Sequence, residues 1–498
     1  MTEEESKEIV DTGDTLVENT VGSINISDKK RTFIFITLVF VATLSSCDGG
    51  IIPQQNDVIK SDFGGGGETR VGLFGSIDYI GRVFGAIIFT FIMGKYNRKF
   101  MLIITLIFKA VTLFAPIIKI MMNKEDKDKD IFYYINTIAR CLSGISQVFY
   151  PTYLPVWCDQ YAKKEKRAIW VTLVQIGNPI GIILGYGLGM VCKSISSENG
   201  WVIAFPIEGI TLIICAIIIL FFDKIYFSEK FVLTEDCRGI EKELSEEEKK
   251  VNLFANLGKI VCNKIFFFSS LCNSVAFFGI GVVQFFGDKY MDLVLGIDDI
   301  PRFILFGFLC LFGPTTGMVC GGIICSKLGG YVKRKSMTFV ILCMTIASFI
   351  SMLVACHEIK VLFVIAGWTY LFAIGASIPP ISGIIISCLD NNLRGDGFSF
   401  CNLILNLLGS FPSSYVYSLL ADAFKDKGND QYKYAWMISM GYNFIGLIFV
   451  IIAGIFRFRI KGDLSETKNE ELKESNDENT NTENKEEENK DEEQKENI

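Results

Sequence analysis

The chain holds 498 residues, half of them apolar, with 42 Phe, 45 Gly, one His and a mean hydropathy of +0.37. A soluble protein of this length divides into several domains with hydropathy near or below zero, so the composition excludes an ordinary soluble enzyme, a disordered chain and a collagen. The net charge of −7 belongs to the ends: residues 1–20 carry seven acids and one lysine, residues 464–498 fourteen acids and five lysines, and everything between is net +8.

In chain order, residues 1–30 read as an acidic cytoplasmic tail with neither a signal peptide nor an apolar run. A bilayer core of about 30 Å needs roughly 20 mainly apolar residues per helix. That length predicts spans over 31–53, 71–94, 99–122, 131–157, 168–192 and 201–222, together an N-terminal six-helix bundle over 31–222. A charged cytoplasmic loop follows over 223–264, with room for a short surface helix. Spans over 265–287, 302–326, 336–356, 360–388, 397–421 and 434–456 make the C-terminal bundle, 265–460, and residues 461–498 form a low-complexity acidic tail. The expected fold is an all-α membrane protein of twelve transmembrane helices in two six-helix pseudo-repeats. Lys and Arg placement puts both termini in the cytoplasm, because the basic turns then fall inside. No sorting signal chooses between a plasma membrane and an endolysosomal or vacuolar one.

The halves repeat each other. A basic turn follows the second helix of each, "GKYNRK" at 94–99 and "SKLGGYVKRK" at 326–335. The fourth helix of each carries prolines and then an acid-to-Arg loop, Asp159 to Arg167 and Asp390 to Arg394. Such internal repeats are the plan of transporters whose site lies between two halves.

These features, with "NGWVIAFPIEGI", resemble the major facilitator superfamily over residues 31–460. Within it the sequence is most similar to the spinster-like lysolipid and sphingolipid branch, on "CDGGIIP", "GKYNRK" and "NLLGSFPSSYVYSLLAD". The resemblance implies alternating access and a substrate bound near the midplane. Three departures bear on mechanism. Gly94 and Lys95 stand where the branch turn has Asp then Arg, and Asp48-Gly49 stands where its first helix has Asp-Arg. Arg140, Gly144 and Gln147 occupy the fourth-helix pattern Arg-x-x-x-Gly-x-x-Glu, so the acid associated with proton coupling is an amide.

Charges inside spans are costly, and each is a functional candidate. Asp48, Asp78, Arg82, Lys109, Arg140 and Glu208 all lie in the first six helices. Asp78 and Arg82, four residues apart, share a helix face. One reading makes Asp78–Arg82 and Asp48–Arg140 buried ion pairs. The other has Arg140 grip an anionic head group while Asp48 tunes its availability, since a guanidinium donates two parallel bonds to carboxylate or phosphate. Glu208 is either a titrating group or an acid facing water, and Lys109 either a cavity residue or one snorkelling to the inner interface. Gln147 joins the substrate set. From the second half come the uncharged amides Asn273, Gln284, Asn402 and Asn406, beside aromatic residues such as Phe278, Phe285, Phe286 and Tyr370 that serve packing or an apolar tail. Lys95, Arg98, Lys99, Asp159, Arg167, Lys327, Lys333 and Arg334 form the expected gate turns.

Gly181, Gly185 and Gly189 at four-residue spacing suit either tight packing or rocking helices. "GGGG" at 64–67 reads as a flexible connector. The 15 cysteines, odd in number and scattered through apolar runs, read as free thiols. No Walker sequence and no His or Cys ligand pair occurs (His357 is the one histidine), so no cofactor, no metal and no enzymatic role is expected. The expected partners are membrane lipids and a small amphipathic or anionic substrate, with no nucleic acid, for a protein working as a monomer. A small organic anion or a sugar is the alternative cargo, and a transporter-fold receptor or scaffold the alternative from another class.

Overall fold

The computed structural model describes residues 24–25, 27–92, 96–121, 126–163, 167–227, 231–233, 238–241, 253–331, 333–356, 359–389 and 393–460. Residues 1–23, the acidic tail 461–498, Lys95 and His357 lie outside them.

Among the described residues, eleven helices are long and apolar enough to cross a membrane. The twelfth expected span, the fourth in order, is built from α6 (Asp126–Gln147) and α7 (Phe149–Tyr161), joined at Val148. Its charged first turns and Arg140 dilute its apolar character, which is why composition alone undercounts it. With it, the twelve-helix architecture of two six-helix halves is borne out.

The chain divides into two compact units, one of residues 1–251 plus Ser414–Asp422, the other of Asn252–Ser413 and the remainder. In the first unit the first span is two helices, α1 (Asp28–Leu44) and α2 (Asp48–Gln54), and α3 (Asn56–Asp62) leads to α4 (Glu68–Ile92). Then come α5 (Arg98–Leu113), α6, α7, α8 (Arg167–Ile195) and α9 (Gly200–Leu220). The principal packings are α4 on α6, α5 on α9, and α8 against α1 and α2.

The α8 glycines explain the last of these. A Cβ on Gly185 would stand 1.8 Å from the Cys47 carbonyl oxygen, and one on Gly181 2.0 Å from that of Thr43. From the other side, a Cβ on Gly50 would meet the Ile182 carbonyl oxygen at 1.8 Å. Only bare backbones fit this contact, so the four-residue glycine spacing is tight packing inside one unit. Where α3 meets α4, the end of the unit is an aromatic knot of Phe63, Phe74, Phe132, Tyr133, Trp201 and Phe205, with the Trp201 indole donating to Asp62 at 2.7 Å. This is the structural work of the Trp-x-x-x-Phe start of the sixth span.

The second unit begins with α10 (Leu253–Cys262), a short helix inside the expected central loop, followed by α11 (Lys264–Leu293), α12 (Asp299–Lys327), α13 (Arg334–Cys356) and α14 (Lys360–Ser387). The eleventh span is α15 (Arg394–Ile404), a π-helical turn over Leu405–Ser410 and α16 (Phe411–Ala423). The twelfth is α17 (Asp430–Gly441) and α18 (Asn443–Arg459). Phe278, Phe286 and Tyr370 are buried, at 4%, 0% and 1% exposure, and the Tyr370 hydroxyl donates to Asn443 at 3.2 Å. These rings pack the core.

Two details depart from expectation. Ile24–Asn25 (β1), Phe231–Leu233 (β2) and Arg238–Glu241 (β3) pair antiparallel in the order β1-β3-β2, so the end of the N-terminal tail and part of the central loop carry strands. The "GGGG" connector is a defined turn: Gly64, Gly65 and Gly67 hold φ of 82°, 66° and 92°, which L side chains avoid. It delivers the start of α4 to Asp422, whose carboxylate accepts from Glu68 N and Thr69 N, both at 2.8 Å, and from the Thr69 hydroxyl.

Candidate functional site

The site starts from a broken helix. Between α1 and α2 the backbone tightens over Ser45–Cys47, and the Gly49 amide donates to Ser46 O rather than to Ser45 O. The Ser45 carbonyl is thereby turned to side chains: it accepts from Lys109 Nζ and, at 2.9 Å, from Gln147 Nε2. A carbonyl freed at a helix break inside a membrane serves as a fixed partial negative charge.

Around that carbonyl stand four ionisable groups from four helices. Asp48 opens α2 and is 1% exposed. Its Oδ2 accepts from Arg140 NH1 of α6 and from Lys109 Nζ of α5 at 3.2 Å. Lys109 Nζ also lies 3.6 Å from Glu208 Oε1 of α9. Lys109 is 0% and Glu208 2% exposed, and neither Glu208 oxygen has a hydrogen-bond partner. One ammonium therefore stands between two carboxylates, and one carboxylate between two cations. With every group ionised the set is neutral, which is how the cost of burying four charges is contained.

Two alternatives left open by the sequence are decided here. Lys109 does not snorkel: its stem reaches inward to Ser45 and Asp48. Glu208 does not face water, since α5 closes over it. The two expected pairs are both present. Arg140 meets Asp48, and Arg82 NH2 donates to Asp78 Oδ2 at 2.9 Å with its guanidinium over the Tyr79 ring. Gln147 takes its place beside Arg140 through the Ser45 carbonyl.

Arg140 lines a small hollow with Asn136, Ser143 and Thr112 on its polar side and the rings of Phe74 and Phe205 on its apolar side. Its Nε is buried without a partner, as is the Ser143 hydroxyl. The hollow is only about 10 Å³, room for about one water, so an anion reaches these unused donors only when the surrounding helices part.

The amides of the second unit do not join into a comparable cluster among the described contacts. Asn273 is buried on α11 with Oδ1 unpartnered, Gln284 is half-buried on the same helix, and Asn406 donates to the Asn402 carbonyl one turn back at 2.8 Å. Sequence reasoning missed a polar group at the end of α11, where Arg302 is held by Asp288, Asp292 and Asp299 at 3.1, 2.5 and 2.5 Å. Asp288 lies one residue beyond the expected span 265–287, so a search for charges inside spans does not single it out.

Of the gate turns, Lys99 donates to the carbonyls of Leu220 and Phe222 at the end of α9. Arg334 donates to the carbonyl of Ile460 at the end of α18. The basic turn of each half thus caps the last helix of its own half, where a cation meets unsatisfied carbonyls. Arg98 is buried at the start of α5, while Lys327 and Lys333 are exposed. The side chains of Lys95, Asp159 and Arg167 lie outside the described residues.

A family model for the Major Facilitator Superfamily matches residues 34–414. The chain belongs to that superfamily. It is 22% identical over 415 residues to the sphingosine-1-phosphate transporter SPNS2 of Danio rerio, covering 78% of this chain and 75% of that one. To the probable sphingolipid transporter spinster homolog 1 of Arabidopsis thaliana it is 22% identical over 317 residues, 59% of this chain and 62% of the relative. Its fold is similar to a bacterial homolog of the human lysosomal transporter Spinster in an inward-facing, occupied conformation, with a TM-score of 0.63 at 14% identity over 87% of this chain and 97% of that one. The resemblance to the spinster-like branch is borne out. This is a multi-pass membrane transporter of the major facilitator type.

Proposed function

We propose that this transporter moves an amphipathic, lipid-like metabolite of the lysolipid or sphingolipid class, and that Arg140 holds its anionic head. The observation that carries this is Arg140 itself: buried, tied to Asp48 through one nitrogen, and lining a hollow of hydroxyls, an amide and aromatic rings with its Nε free. In the empty state Asp48 occupies the guanidinium. An incoming phosphate or carboxylate competes for it and gains charge-assisted bonds that a neutral molecule cannot make. The Arg82–Asp78 ion pair lies within α4, one turn apart on the same face. Gln147 binds beside the head. The protein works as a monomer with both termini in the cytoplasm. The spinster-type relatives, named for sphingolipids, support the substrate class.

The test is flux into liposomes of a panel of lysolipids, small organic anions and sugars. Flux of anionic lysolipids that uncharged monoacylglycerol does not compete with supports the reading. Flux confined to small anions or sugars replaces the cargo, and no flux of any of them leaves the receptor or scaffold role.

A further inference from the structure

Resting on that reading, we infer that Glu208 on α9, rather than the fourth-helix position held by Gln147, is the proton site of this transporter, and that it loads a proton when an anion takes Arg140.

The geometry makes the two events one. Lys109 Nζ sits 3.2 Å from Asp48 and 3.6 Å from Glu208, and Asp48 is held in addition by Arg140. While Arg140 serves Asp48, the Lys109 charge is shared between two carboxylates and the set is neutral. An anion arriving at Arg140 withdraws that guanidinium from Asp48 and brings the set to −1. Asp48 then draws Lys109, already hydrogen-bonded to it, and Glu208 is left with two oxygens that no other group touches.

An unpaired carboxylate inside a membrane costs several kcal/mol, and a proton from water removes that cost by giving a neutral carboxylic acid. Gln147 cannot take the proton, because a carboxamide is not basic near neutral pH; its nitrogen donates to the Ser45 carbonyl. No other group packed on Glu208 competes for the role. Lys109 comes from α5, Asp48 from α2 and Arg140 from α6, and the Cys47 thiol and Tyr150 phenol also lie in its electrostatic reach. The 3-10 turn over Ala115–Met121 brings Lys119, already on Asp62. From α1, Phe33–Leu44 contains no charged residue, and neither does Trp170–Val191 of α8. The stoichiometry is one proton per anionic charge, carried in the same direction.

Reciprocity gives the test: if the anion favours the protonated state, the proton must favour anion binding by the same factor. The probe is lysophosphatidylglycerol, a phosphodiester whose own charge is constant near neutral pH. Added to the purified full-length protein in weakly buffered solution, it should draw about one proton per molecule bound. Its Kd should rise with pH, at the limit about tenfold per unit. Glu208→Gln should lose both the proton uptake and the pH dependence. Wild-type binding without proton uptake overturns the inference and leaves the substrate reading standing, as does Glu208→Gln with undiminished uptake. Should Glu208→Gln fail to fold, the wild-type uptake alone decides. Absence of binding by the wild type contradicts the amphipathic-anion reading itself and removes this inference with it.

Discussion

The two units solve the same packing problem with different materials. In the first, four charged side chains meet inside the membrane on one freed carbonyl, all nearly inaccessible to solvent. In the second, the comparable charge cluster lies around Arg302 near a helix end, and two of its acids are largely open, Asp292 at 44% and Asp299 at 84% side-chain exposure. The helix contacts, by contrast, are alike. The first unit closes α8 on α1 and α2 through glycines with no room for a methyl group, and the second closes α12 on α14 in the same way at Gly317, Gly321 and Gly375. There is room only at positions such as Gly367, where a Cβ would stand 3.8 Å from the nearest atom of Leu309. The first charge cluster is closed to solvent and neutral when every group is ionised, whereas the second is partly open at a helix end.

That contrast can be broken by substitution. The largest effect is expected for Lys109→Met, which leaves Asp48 and Glu208 facing each other without the cation between them. Removing one partner of a buried ion pair costs about 3–5 kcal/mol, so thermal unfolding in detergent should fall by many degrees. Adding Glu208→Gln to Lys109→Met should recover a good part of the loss, and equal stability of the single and double variants contradicts the shared-cation arrangement. Gly185→Ala should cost a similar few kcal/mol by forcing α8 off the Cys47 carbonyl. Gly367→Ala in the second unit should change stability by less than about 1 kcal/mol.

A middle-sized effect belongs to Asp422→Ala. It removes the acceptor for two backbone amides and a hydroxyl at the start of α4, a capping contact worth about 1 kcal/mol. Asp422→Asn should retain roughly half of that, and an unchanged melting temperature in Asp422→Ala would falsify the capping role. The smallest effect is expected for Asp299→Ala, whose exposed bond to Arg302 contributes within about 1 kcal/mol.

Much of this was legible in the sequence, and the rest was hidden for identifiable reasons. Length and hydropathy reveal the spans because a bilayer imposes them, and the cost of intramembrane charge singles out Asp48, Asp78, Arg82, Lys109, Arg140 and Glu208 without coordinates. Spacing of four residues was enough for Asp78–Arg82. Lys109 stayed open between two readings because rise per residue locates a Cα, while a lysine stem carries its charge several ångströms further. Glu208 stayed open because proximity to a helix end does not reveal what covers it. The Ser45 carbonyl had no sequence signal of its own, since its freedom depends on how tightly Ser45–Cys47 turns. Asp422 was out of reach for another reason: its partners, Glu68 and Thr69, lie more than 350 residues away.

The central claim is that Arg140, released from Asp48, is the group that recognises an anionic amphiphile. The most direct measurement is the initial rate of lysophosphatidylglycerol uptake into liposomes by wild type and by Arg140→Ala, at matched amounts of inserted, folded protein. Losing about 3 kcal/mol of charge-assisted contact corresponds to a fall of roughly 100-fold. Arg140→Ala at or near the wild-type rate contradicts the account.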